Sequence, residues 1–344
     1  MTQMQHIVLA RRPEGAPTTD DFRLETSPLP TPAEGEVLVK LSHFSLDPYM
    51  RGRMDDAKSY AEPVPLGGTM TAGGVGEVVA SNHPGFEPGD HAFGMFGWAS
   101  HGCLPGKELQ KLDPTMGPTT AALGVLGMPG FTGWAGLMTY GDPKPGETLV
   151  VAAATGPVGS IVGQLAKAKG LRVIGIAGGA DKCQMALDTF GFDACLDHRA
   201  YDDASALRAA LADACPDGID IYFENVAGKV LEAVLPLMNT GGRIPLCGMV
   251  AWYNAGALGA NQGGAMDQLP KLWRTILVKR LHVHGFIITD LWGKYGEFMK
   301  EVAPMVAAGQ IRFVEDVAQG LENAPTAFIR MLEGGNKGKQ IVAL

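Results

Sequence analysis

Cysteine is scarce in this 344-residue chain: five residues, at 103, 183, 195, 215 and 247, with no Cys-x-x-Cys among them. An odd count at scattered positions argues against a disulfide frame and a structural zinc knuckle, and leaves free, buried thiols as the default reading. Long apolar runs are also missing. None approaches the roughly 18 uncharged apolar residues of a membrane span. The opening MTQMQHIVLARRPEG has no basic segment leading into an apolar core and a small-residue cleavage site, so no signal peptide is expected. Together with free thiols, this predicts a reducing cytoplasm. Basic clusters are absent as well. A formal net charge of −8 without a Lys/Arg stripe argues against nucleic acid as the main partner.

What is plentiful is glycine, with 47 residues, and proline, with 23, in a chain that is 46% apolar. That length and apolar content predict two domains. Residues 1–128 alternate in short strands broken by turns: Glu36-Val-Leu-Val-Lys-Leu-Ser, Gly73-Gly-Val-Gly-Glu-Val-Val-Ala and Gly89-Asp-His-Ala-Phe-Gly. They predict a β-rich, barrel-like domain. Over residues 129–312 strand and helix patterns alternate. Strands are expected at Leu149–Ala153, Val173–Ala177, Ala194–Asp197, Asp220–Glu224, Arg243–Cys247 and Leu281–Ile287. Helices are expected at Pro157–Lys169, Asp181–Phe190, Asp203–Ala214, Lys229–Met238 and Met266–Lys279. This order predicts an α/β, doubly wound parallel sheet. Residues 313–344 hold an alternating piece, a short helix at Ala324–Leu332 and a strand, Gln340–Leu344, that can rejoin the first domain.

The most informative stretch is ETLVVAAATGPVGSIVGQLAKAKG, from Glu147 to Gly170. An apolar run meets glycines at 156, 159 and 163 and passes into a helix pattern. Free N–H groups at such a helix start, with its dipole, favour a diphosphate, and glycine permits close approach. The spacing is Gly-x-x-Gly-x-x-x-Gly, so a purely structural turn remains a second reading. About 20 residues on, a dinucleotide fold places an acid that reads the adenosine ribose. Here the tip reads Ala177-Gly-Gly-Ala-Asp-Lys182. The missing acid leaves room for a 2′-phosphate, Lys182 offers a charge for it, and Asp181 can cap the next helix. NADP is favoured over NAD, with a solvated first-turn lysine as the alternative.

These features combine with further signatures. They are Asp47-Pro-Tyr-Met-Arg-Gly-Arg-Met54, Gly127-Met-Pro-Gly-Phe-Thr-Gly133, Ala153-Ala-Thr-Gly-Pro-Val-Gly-Ser160, Glu224-Asn-Val-Ala-Gly228, Cys247-Gly-Met-Val-Ala-Trp-Tyr-Asn254 and Gly335-Asn-Lys-Gly-Lys339. The chain resembles the medium-chain dehydrogenase/reductase superfamily over essentially its full length. Within it the resemblance is to the zinc-independent leukotriene B4 dehydrogenase/prostaglandin reductase branch, which includes alkenal and curcumin reductases. The resemblance implies a Rossmann sheet plus a GroES-like domain formed by 1–128 and completed by 313–344. It also implies a homodimer. Zinc-dependent relatives carry an early Cys, a Gly-His-Glu and four close cysteines. This chain has Asp47-Pro48-Tyr49 at the early position and no Gly-His-Glu, and His83, His91 and His101 lack ligand partners at metal spacing. No metal is expected.

The activity implied is NADPH-dependent reduction of the C=C bond of a small, apolar α,β-unsaturated ketone or aldehyde. Tyr253, Tyr49 and Tyr60 are the candidate hydrogen-bond donors to an enolate oxygen. Packing aromatics with wet hydroxyls are the alternative for each. Arg51 and Arg53 are expected to fix the loop or neighbour the cleft rather than transfer a proton, since guanidinium stays charged. For the cofactor the resemblance implies Gly156, Pro157, Val158 and Gly159 at the diphosphate, with Lys182 and His198 at the 2′-phosphate. Asn225, Cys247, Gly248, Met249, Tyr253, Phe286, Ile287, Ile288 and Asn336 would line the rest. Ala227 stands where a glycine is common, and Gly256–Gly264 is a glycine-rich insert near the expected substrate mouth. A quinone reductase, and a catalytically silent NADPH-binding protein, are the competing readings.

Overall fold

The computed structural model describes residues 2–57, 59–256 and 269–344. The chain divides into two compact units: one holds the chain up to Gly127 with Glu315–Leu344, the other runs from Met128 to Val314 apart from a short stretch beginning at Asn254. The insert Gly256–Gly264 lies, beyond Gly256, outside the described residues, as do the first three residues of the helix expected from Met266.

The second unit is α/β, built on six parallel strands. In spatial order they are Ala194–Asp197, Arg172–Ala177, Thr148–Ala152, Ile219–Phe223, Met238–Leu246 and His282–Gly285. Counted along the unit this is the order 3-2-1-4-5-6 of a doubly wound sheet, with its reversal between Thr148–Ala152 and Ile219–Phe223. Thr148–Ala152 is buried at every residue, as a central parallel strand covered on both faces must be. Helices follow at Pro157–Ala168, Ala180–Asp188, Ala204–Ala214, Gly228–Val234 and Leu269–Lys279.

Three departures from the sequence pattern have physical causes. The helix expected to run to Met238 stops at Val234, passes through a tighter turn at Leu235–Leu237 around Pro236, and yields Met238 to a nine-residue strand. The helix Met128–Gly136, unexpected because Gly130, Gly133 and Gly136 weaken its pattern, is almost wholly buried. Its glycines permit close packing: a β-carbon at Gly133 would strike Ile161, and one at Gly136 would strike Phe286 and Phe223. A third helix, Tyr295–Ala307, was also unexpected, and carries Pro304 inside it. It packs through Phe298, fully buried beside Phe131 and Trp134.

The first unit is β-rich. Its main sheet runs Glu315–Gln319, Lys339–Ala343, Glu36–Ser45, Gly74–Ser81, His91–Gly94 and Gln110–Leu112, with His101–Pro105 also paired to Glu36–Ser45. The terminal strand lies antiparallel to Glu36–Ser45, Ile341 opposite Ser45. A separate hairpin joins Gln3–Leu9 to Phe22–Pro28. Trp98, fully buried, centres the core, stacked on Phe22 at 5.3 Å with Phe328 edge-on at 5.5 Å. A single helical turn, Tyr49–Arg53, interrupts the strands within the Asp47–Met54 signature.

Candidate functional site

In the second unit the strand Thr148–Ala152 leads into Ala153, held at φ +50, and a turn closed by the Gly156 N–H on the Ala153 carbonyl at 3.0 Å. Gly156 then caps the helix Pro157–Ala168 in an extended conformation, with Pro157 in the first turn and no side chain on the helix start. Pro157 has no N–H to satisfy, so the helix presents the N–H groups of Val158 and Gly159 outward. The glycines divide the work. A β-carbon at Gly159 would run into the Ala153 carbonyl, and one at Gly163 into the Phe192 ring, so both let the helix press against its sheet. The structural reading of this turn accounts for Gly159 and Gly163, and the outward N–H groups leave it open to an anion.

At the second strand tip, Gly179 sits at φ +108 and caps the helix Ala180–Asp188. This corrects the expectation for Asp181, which lies inside the first turn rather than at the cap. The Asp197 carboxylate, at the end of the next strand, accepts from the Gly179 N–H at 2.8 Å and the Arg199 N–H at 2.9 Å. A β-carbon at Gly178 would stand 2.9 Å from Arg199 Nε and 3.0 Å from His198 Nε2. Both side chains therefore hang over a glycine surface, beside Lys182. Lys229 Nζ donates to the carbonyls of His198 at 2.8 Å and Tyr201 at 2.6 Å, fixing this loop. Burial, followed by Lys229 and Arg199, holds the His198 imidazole below its ordinary range. Arg199 and Lys229 escaped sequence reasoning. Adjacency to His198 could have pointed to Arg199; nothing local marks Lys229, which comes from a helix 31 residues on.

The reversal point holds a third group. Asn225 Nδ2 donates to the Ala152 carbonyl at 2.9 Å. Glu224, 1% exposed, accepts through Oε1 from the N–H groups of Val226 at 2.6 Å and Ala227 at 2.8 Å. Burial pushes its carboxyl up despite those bonds. The Cys247 and Gly248 N–H groups donate to the Glu224 carbonyl at 3.0 and 3.2 Å, and burial raises the Cys247 thiol to about 12. Ala227 holds φ +68 and Gly228 φ +56, which explains a glycine preference at position 227 and shows alanine bearing the strain. Tyr253 folds back over this loop. Its hydroxyl accepts from the Met249 N–H at 3.4 Å and stands 3.1 Å from where a Gly248 β-carbon would be. Phe286 packs against Tyr140 at 5.4 Å, and Ile287 and Ile288, half-buried, begin the turn after it.

The first unit carries the other two tyrosines. Arg53 lies 5.7 Å from the Tyr49 ring centre and 4.6 Å from that of Tyr60, and its Nη1 donates to the Ala61 carbonyl at 2.9 Å. Burial first, then Asp47, pushes the Tyr49 phenol above its ordinary range and keeps it a donor. Arg51 fixes the loop, donating to Asp55 at 2.6 Å and to the Gly15 carbonyl at 2.8 Å. The turn bearing Tyr49 is anchored by Lys339, 3% exposed, whose Nζ donates to Asp47 Oδ1 at 2.6 Å and the Leu46 carbonyl at 2.7 Å, while Ser45 Oγ donates to Asp47 Oδ2. Asn336 Nδ2 donates to the Gly338 carbonyl at 2.8 Å and shapes the turn before Lys339. The residues expected at the cofactor thus fall in the second unit, except Asn336, which lies in the first unit along with Tyr49, Arg53 and Tyr60. Among the described residues, no three His, Cys, Asp or Glu side chains lie together as a metal site needs.

A doubly wound sheet with a glycine turn, an acid-free second strand tip and a β-rich companion unit defines a dinucleotide-dependent dehydrogenase or reductase. The family descriptions "N-terminal domain of oxidoreductase" and "Zinc-binding dehydrogenase" match residues 5–112 and 157–304. The chain is 52% identical to NADPH-dependent curcumin reductase of Escherichia coli (strain K12), over 97% of this chain and 95% of that one. It is 40% identical to 2-alkenal reductase (NADP(+)-dependent) of Nicotiana tabacum, over 98% and 96%. The crystal structure of CurA in complex with NADPH from Vibrio vulnificus superposes with a TM-score of 0.92, at 52% identity and 98% coverage of each chain. The chain belongs to the medium-chain dehydrogenase/reductase family, in its zinc-independent curcumin, alkenal and prostaglandin reductase branch. It is an oxidoreductase.

Proposed function

We propose that the protein reduces the C=C bond of α,β-unsaturated ketones and aldehydes with NADPH and leaves the carbonyl intact. The observation that carries this reading is the pocket floor at Gly178 under His198 and Arg199, beside Lys182, in a chain similar throughout to an NADPH-dependent curcumin reductase. A β-carbon at Gly178 would fill that cradle. Lys182, His198 and Arg199 offer donors for a 2′-phosphate, while the Asp197 carboxylate is engaged by the Gly179 and Arg199 N–H groups. Val158 and Gly159 would hold the diphosphate, and Asn225, Gly248 and Met249 the nicotinamide side. When bound, NADPH supplies the hydride that adds to the β-carbon of the substrate. Tyr253 stabilises the developing enolate oxygen by donating its hydroxyl proton in a hydrogen bond; Tyr49 and Tyr60 are the alternative donors. Monitoring NADPH consumption with a conjugated ketone, a quinone and no acceptor tests the reading. Preference for the quinone, or no turnover with either, counts against it.

The protein acts as a homodimer in this account. The last strand of the parallel sheet, His282–Gly285, is an edge, exposed at every residue. Val283 on it and Trp273, Leu277 and Val278 on the helix Leu269–Lys279 are all exposed, Leu277 by 77%. An edge strand paired with its own copy about a two-fold axis would satisfy the strand and cover that apolar face. Among the described residues no helix is long and apolar enough to cross a membrane. The five free cysteines fit a cytoplasmic setting.

A further inference from the structure

Cys183 and Cys195, 12 residues apart in sequence, meet in space. Cys183 lies on the buried face of the helix Ala180–Asp188, Cys195 on the strand Ala194–Asp197, and their sulfurs are 3.1 Å apart as free thiols. Two features make this a built pair. Gly175, opposite Cys195 in the neighbouring strand, carries no β-carbon, and one there would stand 3.1 Å from the Cys195 sulfur. The Cys195 thiol also donates to the Cys183 sulfur, which holds Cys183 below the ordinary thiol range, while the same bond pushes Cys195 up. The reactive form of a thiol is the thiolate, so Cys183 is the nucleophile of the pair.

The location matters as much as the distance. Cys183 directly follows Lys182. Cys195 precedes by two residues Asp197, whose carboxylate ties together the N–H groups of Gly179 and Arg199. The dithiol therefore joins the helix start and the strand end from which the proposed phosphate cradle is made. We propose that Cys183 and Cys195 form a redox-modification site, at which a peroxide converts the pair to a disulfide and weakens NADPH binding. The thiolate of Cys183 attacks a peroxide oxygen, the O–O bond breaks, and a sulfenic acid and hydroxide result. The Cys195 sulfur then attacks the Cys183 sulfur and displaces a second hydroxide. The Cys195 proton and the proton released from Cys183 complete two waters from hydrogen peroxide. The two sulfurs lose two electrons and the peroxide gains them. A sulfur–sulfur bond of about 2.05 Å requires closure by roughly 1 Å, which draws the first turn bearing Lys182 toward the strand.

The effect on affinity rests on the cofactor reading above; formation of the disulfide does not. The test treats the intact protein with hydrogen peroxide, maps its peptides by mass, and titrates NADPH and NADH before and after, then again after dithiothreitol. The expected result is a Cys183–Cys195 linked peptide, NADPH affinity lower by about tenfold, the equivalent of one lost charge-assisted contact, NADH affinity unchanged, and recovery on reduction. Cys183→Ala and Cys195→Ala should each bind NADPH as the reduced protein does and resist the peroxide effect. Sulfinic acids in place of the linked peptide, or a linked peptide with undiminished NADPH affinity, would overturn the proposal. Failure of the reduced protein to bind NADPH would instead count against the cofactor reading, with the peptide map still deciding whether the dithiol closes.

Discussion

The side-chain amide of Asn225 donates to the main-chain carbonyl of Ala152 over 2.9 Å, joining the carboxyl ends of the two strands between which the sheet order reverses. In a doubly wound sheet that point is the ligand crevice. The bond thus ties together the two strand ends that would wall the proposed cofactor site.

Asn225→Ala should cost about 1 kcal/mol of stability, the usual net worth of a part-buried hydrogen bond. It should weaken NADPH and NADH alike, because both share the nicotinamide end. Urea unfolding and cofactor titrations read the two effects. Unchanged stability with unchanged affinities would show that the bond does not set the crevice.

Lys182→Ala should separate the cofactors instead. The expected loss for NADPH is roughly 1–3 kcal/mol, with NADH nearly unchanged. Arg199→Ala should act in the same direction and by less, since that side chain is exposed. Equal losses for both cofactors in either variant would place these residues away from the 2′-phosphate.

His198 sets a pH dependence. Burial and Lys229 hold its pKa below 6.5, so the imidazole of the free protein is neutral at pH 7. A phosphate beside it favours the charged form, raising its pKa in the complex. NADPH affinity should stay flat above the pKa in the complex and rise as pH falls through it toward the lower free value. His198→Gln should flatten that rise. A profile unaltered by the substitution would remove His198 from the phosphate.

Much of this architecture was legible because the second unit announces itself in apolar runs of strand length, bounded by glycines and separated by helical patterns. The short helix expected around Ala324–Leu332 is present, with Pro325 in its first turn. Met128–Gly136 was not legible, since glycines chosen for close helix packing erase the pattern that betrays a surface helix. Tertiary neighbours were equally hidden. Lys229 reaches a carbonyl 31 residues away, and Cys183 meets Cys195 only because helix and strand fold back on each other. Scattered cysteines in a sequence carry no sign of that.

Two loop residues test the account of the reversal point. Ala227, at φ +68 and ψ −155, occupies a conformation nearly exclusive to glycine, which costs an L side chain about 1–3 kcal/mol. Ala227→Gly should relieve this, less the greater freedom of the unfolded glycine, for a net gain of about 1 kcal/mol. The urea midpoint should rise at unchanged slope. A lower midpoint would contradict the strain.

Glu224→Gln keeps an oxygen for the N–H groups of Val226 and Ala227 and removes the charge. The native pKa is raised above 4.5, so the stabilisation linked to the protonated form is fully present below that value and is lost as pH rises through the folded pKa. The variant should therefore gain on the wild type as pH increases toward 7. A constant difference in stability from pH 4 to pH 7 would show that Glu224 is not strained by its burial.

The central claim is settled most directly by following one atom. With NADPH deuterated on the transferring face of the nicotinamide and a conjugated ketone in ordinary water, the product should be the saturated ketone, with deuterium on the β-carbon and a solvent proton on the α-carbon. Tyr253→Phe should make the same product with a lower kcat and unchanged NADPH affinity, because the lost hydrogen bond strengthens as charge develops on the oxygen. Deuterium on the carbonyl carbon, in an allylic alcohol, would contradict the account.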